Sequence, residues 1–531
     1  MLRPHIRPFL LLSLLSLLME WMMVSCSPDL GNYDYVSLND VEIQMPESMT
    51  AVLHESLDVV PHLSASTFDA SAYTYEWMAY PEDNSTPFLL SEERDLHVTV
   101  KLPTGQYTLV YTVKEKEGGF FYRSKALLQV NTPFSEGWLV LCDDQGRARL
   151  DMYSQVKGQL YTDILPDDIC QLRGPLHLYY INQRSTSESP FYLLTEDGTT
   201  RLSSNDFAWK EEYRVAYEMG AEEDRAVRPS CLAVNGAGKV MVDQEGGVYY
   251  CNNIMGDGLY NQKRRNSFKV APFVGCDVLS SHFVPVFMLY NETTKNFVAC
   301  AEMFSTTDLL GSSTPSDVSL KYLYTLYGFP YANYSLFTIP DRTYDLRWME
   351  NTTYDPLNMG IGTTYAVMQN ASSTMLYGFA LGDMMGLHYE KYGNTVTNIL
   401  QRSLTSCTDI RKATHFAFSS LKNMMYYAVG NKVWRVGLTD ESPASQLDIE
   451  LPEGEEITCM KFYHHTQAAN ASKSYHLLVC SKDASGQGIL RVYDGWHTEG
   501  VFQGQEPMQT LKGFATIKDV IYREIITDYE L

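Results

Sequence analysis

Residues 328–360, GFPYANYSLFTIPDRTYDLRWMENTTYDPLNMG, gather Tyr331, Tyr334, Tyr344, Trp348 and Tyr354 around Arg342, Asp345 and Arg347. Aromatic faces among polar groups suit stacking on sugar rings or gripping a peptide, and long connections between regular elements often carry function. These five aromatics are the candidate ligand-binding residues. The structural alternative is an irregular segment that buries its own aromatics. Catalytic patterns are missing from the chain: no HExxH, Walker A, GxSxG or GxGxxG site occurs, and Gly256-Asp257-Gly258 and Gly360-Ile361-Gly362 precede no phosphate-binding helix pattern. The pair His464-His465 would point to opposite faces of a strand, a poor start for a metal site. Asp143-Asp144-Gln145-Gly146 and Asp243-Gln244-Glu245-Gly246 lack the oxygen spacing of a calcium loop and read as hairpin turns. The sequence thus assigns no catalytic residue, no metal and no cofactor. With 64 acidic residues it also singles out no carboxylate pair for glycoside hydrolysis.

The first residues carry a different kind of chemistry. Arg3 and Arg7 precede an apolar run from Phe9 to Met19, too short to span a membrane, and the segment ends Met23-Val24-Ser25-Cys26. A small residue directly before a cysteine after such a run resembles a bacterial lipobox, with Met23 departing from the usual leucine. The resemblance implies a signal peptide over residues 1–25, cleavage before Cys26 and lipidation of Cys26. Residues 26–39 are polar and punctuated by Gly and Pro, a tether. Asp29 and Asp34 behind the cysteine resemble the start of Bacteroidetes surface lipoproteins, which implies an outer-membrane anchor facing the cell surface.

The whole chain has 41 basic and 64 acidic residues. Loss of residues 1–25 removes two of the former and one of the latter, leaving 39 and 63 and a net charge of −24. Such a surface argues against nucleic acid and is repelled by anionic lipid, so lipid alone would hold the protein at a membrane. Cysteines 142, 251, 300 and 480 sit inside apolar strands, and nine irregularly spaced cysteines after Cys26 suggest buried free thiols rather than a disulfide frame.

Residues 40–131 alternate apolar and polar positions in six short runs: 41–43, 57–60, 73–77, 96–100, 107–113 and 126–130, separated by turn residues. This predicts an all-β sandwich with Tyr75 and Trp77 on one strand face. Tyr75-x-Trp77 and Pro103-x-Gly105-x-Tyr107 together resemble the immunoglobulin-like PKD module. With the lipobox, Gly31-Asn32-Tyr33-Asp34-Tyr35 and a long β-rich remainder, the chain is similar to Bacteroidetes PKD-like family lipoproteins.

Residues 134–531 repeat one unit: apolar strand, polar turn, second strand. It occurs at 137–150 (GWLVLCDDQGRARL), 191–202, 232–250, 286–300, 365–379, 416–436 and 477–493. Residues 321–327 and 397–404 are the only short helical candidates. Seven repeats in an all-β chain predict a seven-bladed β-propeller, with the count open by one. The Trp-Asp signature of WD40 blades does not occur. A final strand, FATIKDVIY at 514–522, is placed to close the ring beside Trp138–Leu141.

The expected function is a surface lipoprotein that binds a glycan or peptide nutrient without chemistry. The family resemblance implies partnership with a TonB-dependent importer and its companion lipoprotein. A propeller glycosidase, lyase or peptidase is one alternative, and a structural or adhesive protein-interaction module another. Paired carboxylates facing a cleft would favour the enzyme, and an aromatic-lined funnel would favour the binding protein.

Overall fold

The computed structural model describes residues 40–524 apart from 54, 66–67, 83–85, 181–190, 205–206, 221, 223–224, 236–237, 253–258, 261–265, 267, 277–285, 302–322, 326–342, 357–361 and 382–395. Cys26 and the expected signal segment at residues 1–25 therefore lie outside the described residues, as do Tyr331 and Tyr334. No described helix is long and apolar enough to cross a membrane. The chain divides into two compact units, residues 1–129 and 130–531.

In the first unit, Tyr73–Pro81 and Gly105–Glu115 pair over nine residues at the centre of a five-stranded sheet, flanked by Ser48–Val52, Phe121–Asn131 and Phe88–Ser91. Two further pairs join Ser56–Val59 to Leu96–Thr99 and Glu42–Gln44 to His62–Ser64. The Tyr75-x-Trp77 alternation turns Trp77 fully inward, where it stacks on Tyr111 at 4.1 Å and donates its indole N–H to Glu93 O. A buried indole needs that acceptor. Gly105 takes a positive φ of 152° at the strand entrance, and Tyr107 donates its hydroxyl back to Pro103 O at 2.9 Å. That is the tyrosine corner of an immunoglobulin-like sandwich. Three of the observed strands, Ser48–Val52, His62–Ser64 and Phe88–Ser91, escape the sequence pattern because their alternation is broken or short.

The second unit holds seven antiparallel sheets among the described residues, and each of the seven sequence repeats falls in one of them. From inner to outer strand they are: blade 1, Thr516–Arg523, Gly137–Asp144, Arg147–Ser154 and Gln159–Tyr161; blade 2, Pro175–Tyr180, Phe191–Thr195 and Gly198–Leu202; blade 3, Pro229–Asn235, Gly238–Asp243 and Val248–Asn252; blade 4, Gly275–Cys276, Val286–Asn291, Asn296–Ala301 and Leu323–Thr325. Blade 5 runs Asp345–Thr352, Thr363–Gln369, Thr374–Leu381 and Val396–Ser403; blade 6, His415–Phe418, Met424–Val429, Lys432–Gly437 and Ser445–Glu450; blade 7, Glu456–Phe462, Leu477–Lys482, Gly488–Tyr493 and Gln509–Phe514. The two short helical candidates meet strands instead, Leu323–Thr325 and Val396–Ser403. The latter pairs along Thr374–Leu381, so ladder hydrogen bonds override a weak local preference.

Every apolar cluster of this unit lies between two consecutive blades. Leu139 and Leu141 face blade 2, whereas Val140 and Cys142, one residue out of step, face blade 7. A middle strand is therefore buried on both faces and reads as an unbroken apolar run. The ring closes: Gly137–Asp144 pairs antiparallel with Thr516–Arg523, Trp138 opposite Tyr522, and the 7–1 interface is filled like the other six. The inner strands neighbour each other in turn around the ring. The architecture is a seven-bladed β-propeller. Eight described cysteines are free thiols, and seven of them are buried.

The turn Asp144-Gln145-Gly146-Arg147 shows why the acidic tetrapeptide is a hairpin and not an ion loop. Gln145 and Gly146 both take positive φ, the twist that matches two paired strands, and Asp143 accepts the Gly146 N–H at 2.6 Å.

Candidate functional site: a polar ring around the propeller axis

The inner strands differ from the middle ones in composition. Asp345–Thr352 reads DLRWMENT and Pro175–Tyr180 reads PLHLYY, apolar positions interleaved with charged and aromatic ones. Several of these side chains are only part-buried. The geometry there is a series of clips from one blade to the next.

Lys461 of blade 7 donates to Asp519 of blade 1 at 2.6 Å. Asp519 also accepts the Leu178 N–H of blade 2 at 3.0 Å and its neighbour Val520 N–H at 2.8 Å, with His177 Nδ1 at 3.5 Å. In blade 2, the Tyr179 hydroxyl shares a backbone hydrogen bond with Leu232 of blade 3. Glu350 of blade 5 accepts the Phe418 N–H of blade 6 at 2.9 Å, and its other oxygen accepts the Trp348 indole N–H at 2.8 Å. His415 of blade 6 shares a backbone hydrogen bond with Thr458 of blade 7 and lies edge-on to Trp348 at 6.3 Å.

The electrostatics follow from this wiring. Burial alone would raise the Asp519 carboxyl, but Lys461 and His177 overcome it and hold the group well below the usual carboxylate range. Burial would lower Lys461, yet Asp519 outweighs it and holds the ammonium above its ordinary value. Glu350 behaves oppositely. Burial pushes it up to about 7, against the Trp348 and Phe418 donors and the field of Lys461. Burial also lowers His415, which favours its neutral ring. Lys461 nevertheless keeps 27% of its side chain exposed and His177 keeps 46%, so the ring borders water-accessible space. The axis thus offers a fixed ion pair, a carboxyl that exchanges its proton near neutrality, and aromatic faces.

Of the five aromatics singled out in the sequence, the structure places Trp348 on this ring. Tyr344 packs in the 4–5 interface and hydrogen-bonds Ser373, while Tyr354 follows the far end of the same inner strand. Asp345–Thr352, about 26 Å long at eight residues, separates them, so the described three do not form one patch. Asp345 itself pairs with Lys295 on the outside. The remaining ring residues lay hidden because they are scattered over the chain from His177 to Asp519. One local signal exists: Lys461 in EITCMKF and Asp519 in TIKDVIYR are charges embedded in apolar strands.

The pair at 464–465 has a packing role. His465 is fully buried against Trp138, Tyr463 and Tyr522, with Nδ1 3.4 Å from Glu524. Glu524, just past the closing strand, also accepts from Thr466 N–H at 2.7 Å, the Thr466 hydroxyl at 2.8 Å and Asn470 at 3.0 Å. Burial opposes its ionisation, but His465 and these donors hold it down at about 2. No group of three or more potential ligands that could hold a metal occurs among the described residues.

The PKD-like family model matches residues 26–174. The match covers the sandwich and continues through Gly137–Asp144, Arg147–Ser154 and Gln159–Tyr161 of blade 1. A solved quinonprotein alcohol dehydrogenase-like protein from Bacteroides thetaiotaomicron is 13% identical, aligning over 90% of this chain and 97% of its own at a TM-score of 0.41. A structural genomics protein of unknown function from the same organism is 11% identical over 84% and 96%, with a TM-score of 0.26. No curated protein matches the sequence.

Proposed function

We propose that this chain is a non-catalytic surface lipoprotein, anchored in the outer membrane through Cys26, that captures a glycan or peptide nutrient at the propeller axis for a TonB-dependent importer and its companion lipoprotein. The observation that carries the reading is the commitment of the axial carboxylates. Asp519 is occupied by Lys461 and two backbone N–H groups, and Glu350 by Trp348 and Phe418 N–H. Groups spent on holding neighbouring strands are poorly free to move protons on a substrate, while Trp348, Tyr179 and His177 beside them supply the stacking and hydrogen-bonding surface that a sugar or peptide needs.

The test is titration of the soluble chain from residue 27 onward with glycan and peptide libraries, followed by calorimetry on the hits. Trp348→Ala is expected to weaken binding at least tenfold with the thermal midpoint of the sandwich unchanged. Equal binding by this variant would sink the axial site. Cys26→Ala in the full chain should release the protein from the membrane fraction, and pull-down of the lipidated protein should recover the importer.

A second reading has one observation in its favour. Glu350 near 7 and an Asp519 held ionised, both in the field of Lys461, show the split in acidity that acid–base pairs use. A propeller hydrolase or lyase would use Glu350 as the acid. Turnover of a bound glycan or peptide, abolished in Glu350→Gln with binding retained, would establish it.

A further inference from the structure

A second cavity lies away from the axis, on the outer side of blade 2. It encloses about 240 Å³ between the turn and first residues of Gly198–Leu202, the one-turn helix Val215–Glu218 and residues 225–228. Among the described residues, three arginines, Arg214, Arg225 and Arg228, line it against a single acidic residue, Asp197. That local balance of +2 stands in a chain whose net charge is −23.

The described acids Glu211 and Asp197 do not cancel it. Glu211 accepts from the Nε of Arg214, at 2.9 Å. Asp197 accepts the Arg173 backbone N–H at 2.9 Å. Arg225 and Arg228 have no ion pair among the described residues. Converging arginines repel each other when empty and match planar or tetrahedral oxyanions with paired N–H bonds when filled.

We propose that this cleft binds an oxyanion group on a small ligand: a carboxylate or a sulfate carried by one sugar unit. Cavities for drug-sized ligands begin at about 300 Å³, so this one seats a single sugar residue, with any further units lying outside it. Buried Ile169 and Val215 give it an apolar wall for a ring face, while the arginines hold the charge. The site is separate from the propeller axis and does not depend on what the axis binds.

The probes are glucuronate, glucose 6-sulfate, inorganic sulfate and neutral glucose, titrated calorimetrically into the soluble chain at 50 mM and 500 mM NaCl. At least one charged sugar is expected to bind tenfold or more tighter than glucose and to weaken at high salt. Preference between glucuronate and glucose 6-sulfate identifies the source of the oxyanion. Inorganic sulfate should bind more weakly than a charged sugar that uses the apolar wall. The double variant Arg225→Ala/Arg228→Ala should lose at least tenfold in affinity with an unchanged thermal midpoint, since both side chains are exposed. Trp348→Ala, at the axis, should bind the same probe as the wild type does. Binding no better than glucose, or unchanged binding in the arginine double variant, would overturn the proposal.

Discussion

Replacing Glu218 with Gln tests the electrostatics of the 2–3 blade interface. Glu218 is the one carboxylate among the described residues that contacts two cations there: Lys239 Nζ at 2.8 Å and Arg201 Nε at 3.0 Å. It also accepts the Tyr192 hydroxyl at 2.9 Å, and the Lys239 ammonium lies 4.8 Å over the Tyr260 ring. Lys239 and Glu218 keep only 7% and 8% of their side chains exposed. Lys239 occupies a middle strand whose every residue is buried, so its charge cannot reach water when the carboxylate is gone. Removing one member of a buried pair costs about 3–5 kcal/mol. Gln keeps the shape and one acceptor, and Arg201 is 29% exposed and can rehydrate, so the lower figure of about 3 kcal/mol applies. For a unit of about 400 residues, an unfolding entropy of roughly 2 cal/mol/K per residue turns this into a drop of about 3–4 °C. Scanning calorimetry of the propeller transition reads it. The double variant Glu218→Gln/Lys239→Met removes the stranded ammonium and should recover at least half of the loss. The reasoning fails if the single variant costs less than about 1 kcal/mol, or if the double variant is no more stable than the single one.

Glu524 is held at about 2 against 4.5 when free, so its contribution is complete above pH 4.5 and disappears as the pH falls from 4.5 to 2. Glu524→Ala should remove about 3 kcal/mol at pH 7 and flatten the acid limb of the stability–pH curve measured by urea unfolding. Glu350 has the opposite sign: with its acidity raised to about 7, stability is greatest below pH 4.5 and declines as the pH rises from 4.5 to 7. Because the Trp348 indole donates to it, tryptophan emission should titrate with a midpoint near pH 7 in the wild type and lose that step in Glu350→Gln. In the first unit, Trp77→Ala empties a fully buried site stacked on Tyr111 and should cost about 3–5 kcal/mol in the sandwich transition, read by calorimetry.

The blades were legible in sequence because their middle strands are buried on both faces. Leu139 and Val140 serve opposite interfaces, so stretches such as GWLVLC stand out as uninterrupted apolar runs with a polar turn behind them. Ring closure was legible for the same reason, since Ile517, Val520 and Tyr522 fill one interface and Ile521 the next. The axis was not. An inner strand has one edge toward solvent, so HFAF or DLRWMENT carries too mixed a pattern to register. Local aromatic density picked Trp348 out but gave no hint of His177, Tyr179, Glu350, Lys461 or Asp519. A propeller takes one or two side chains per blade, and proximity along the chain says nothing about convergence at the centre.

The strand that completes blade 1 is its innermost one, and it comes from the far end of the chain. Gly137–Asp144 and Thr516–Arg523 are among the most distant partners the sequence offers. A chain emerging from the N-terminus makes Gly137–Asp144 early, yet its inner edge has no partner until Thr516–Arg523 has also been made. Over that interval an apolar strand with unpaired N–H and C=O groups is open to wrong pairing. The arrival of Thr516–Arg523 turns an open arc into a ring, so folding of the propeller waits on that one strand.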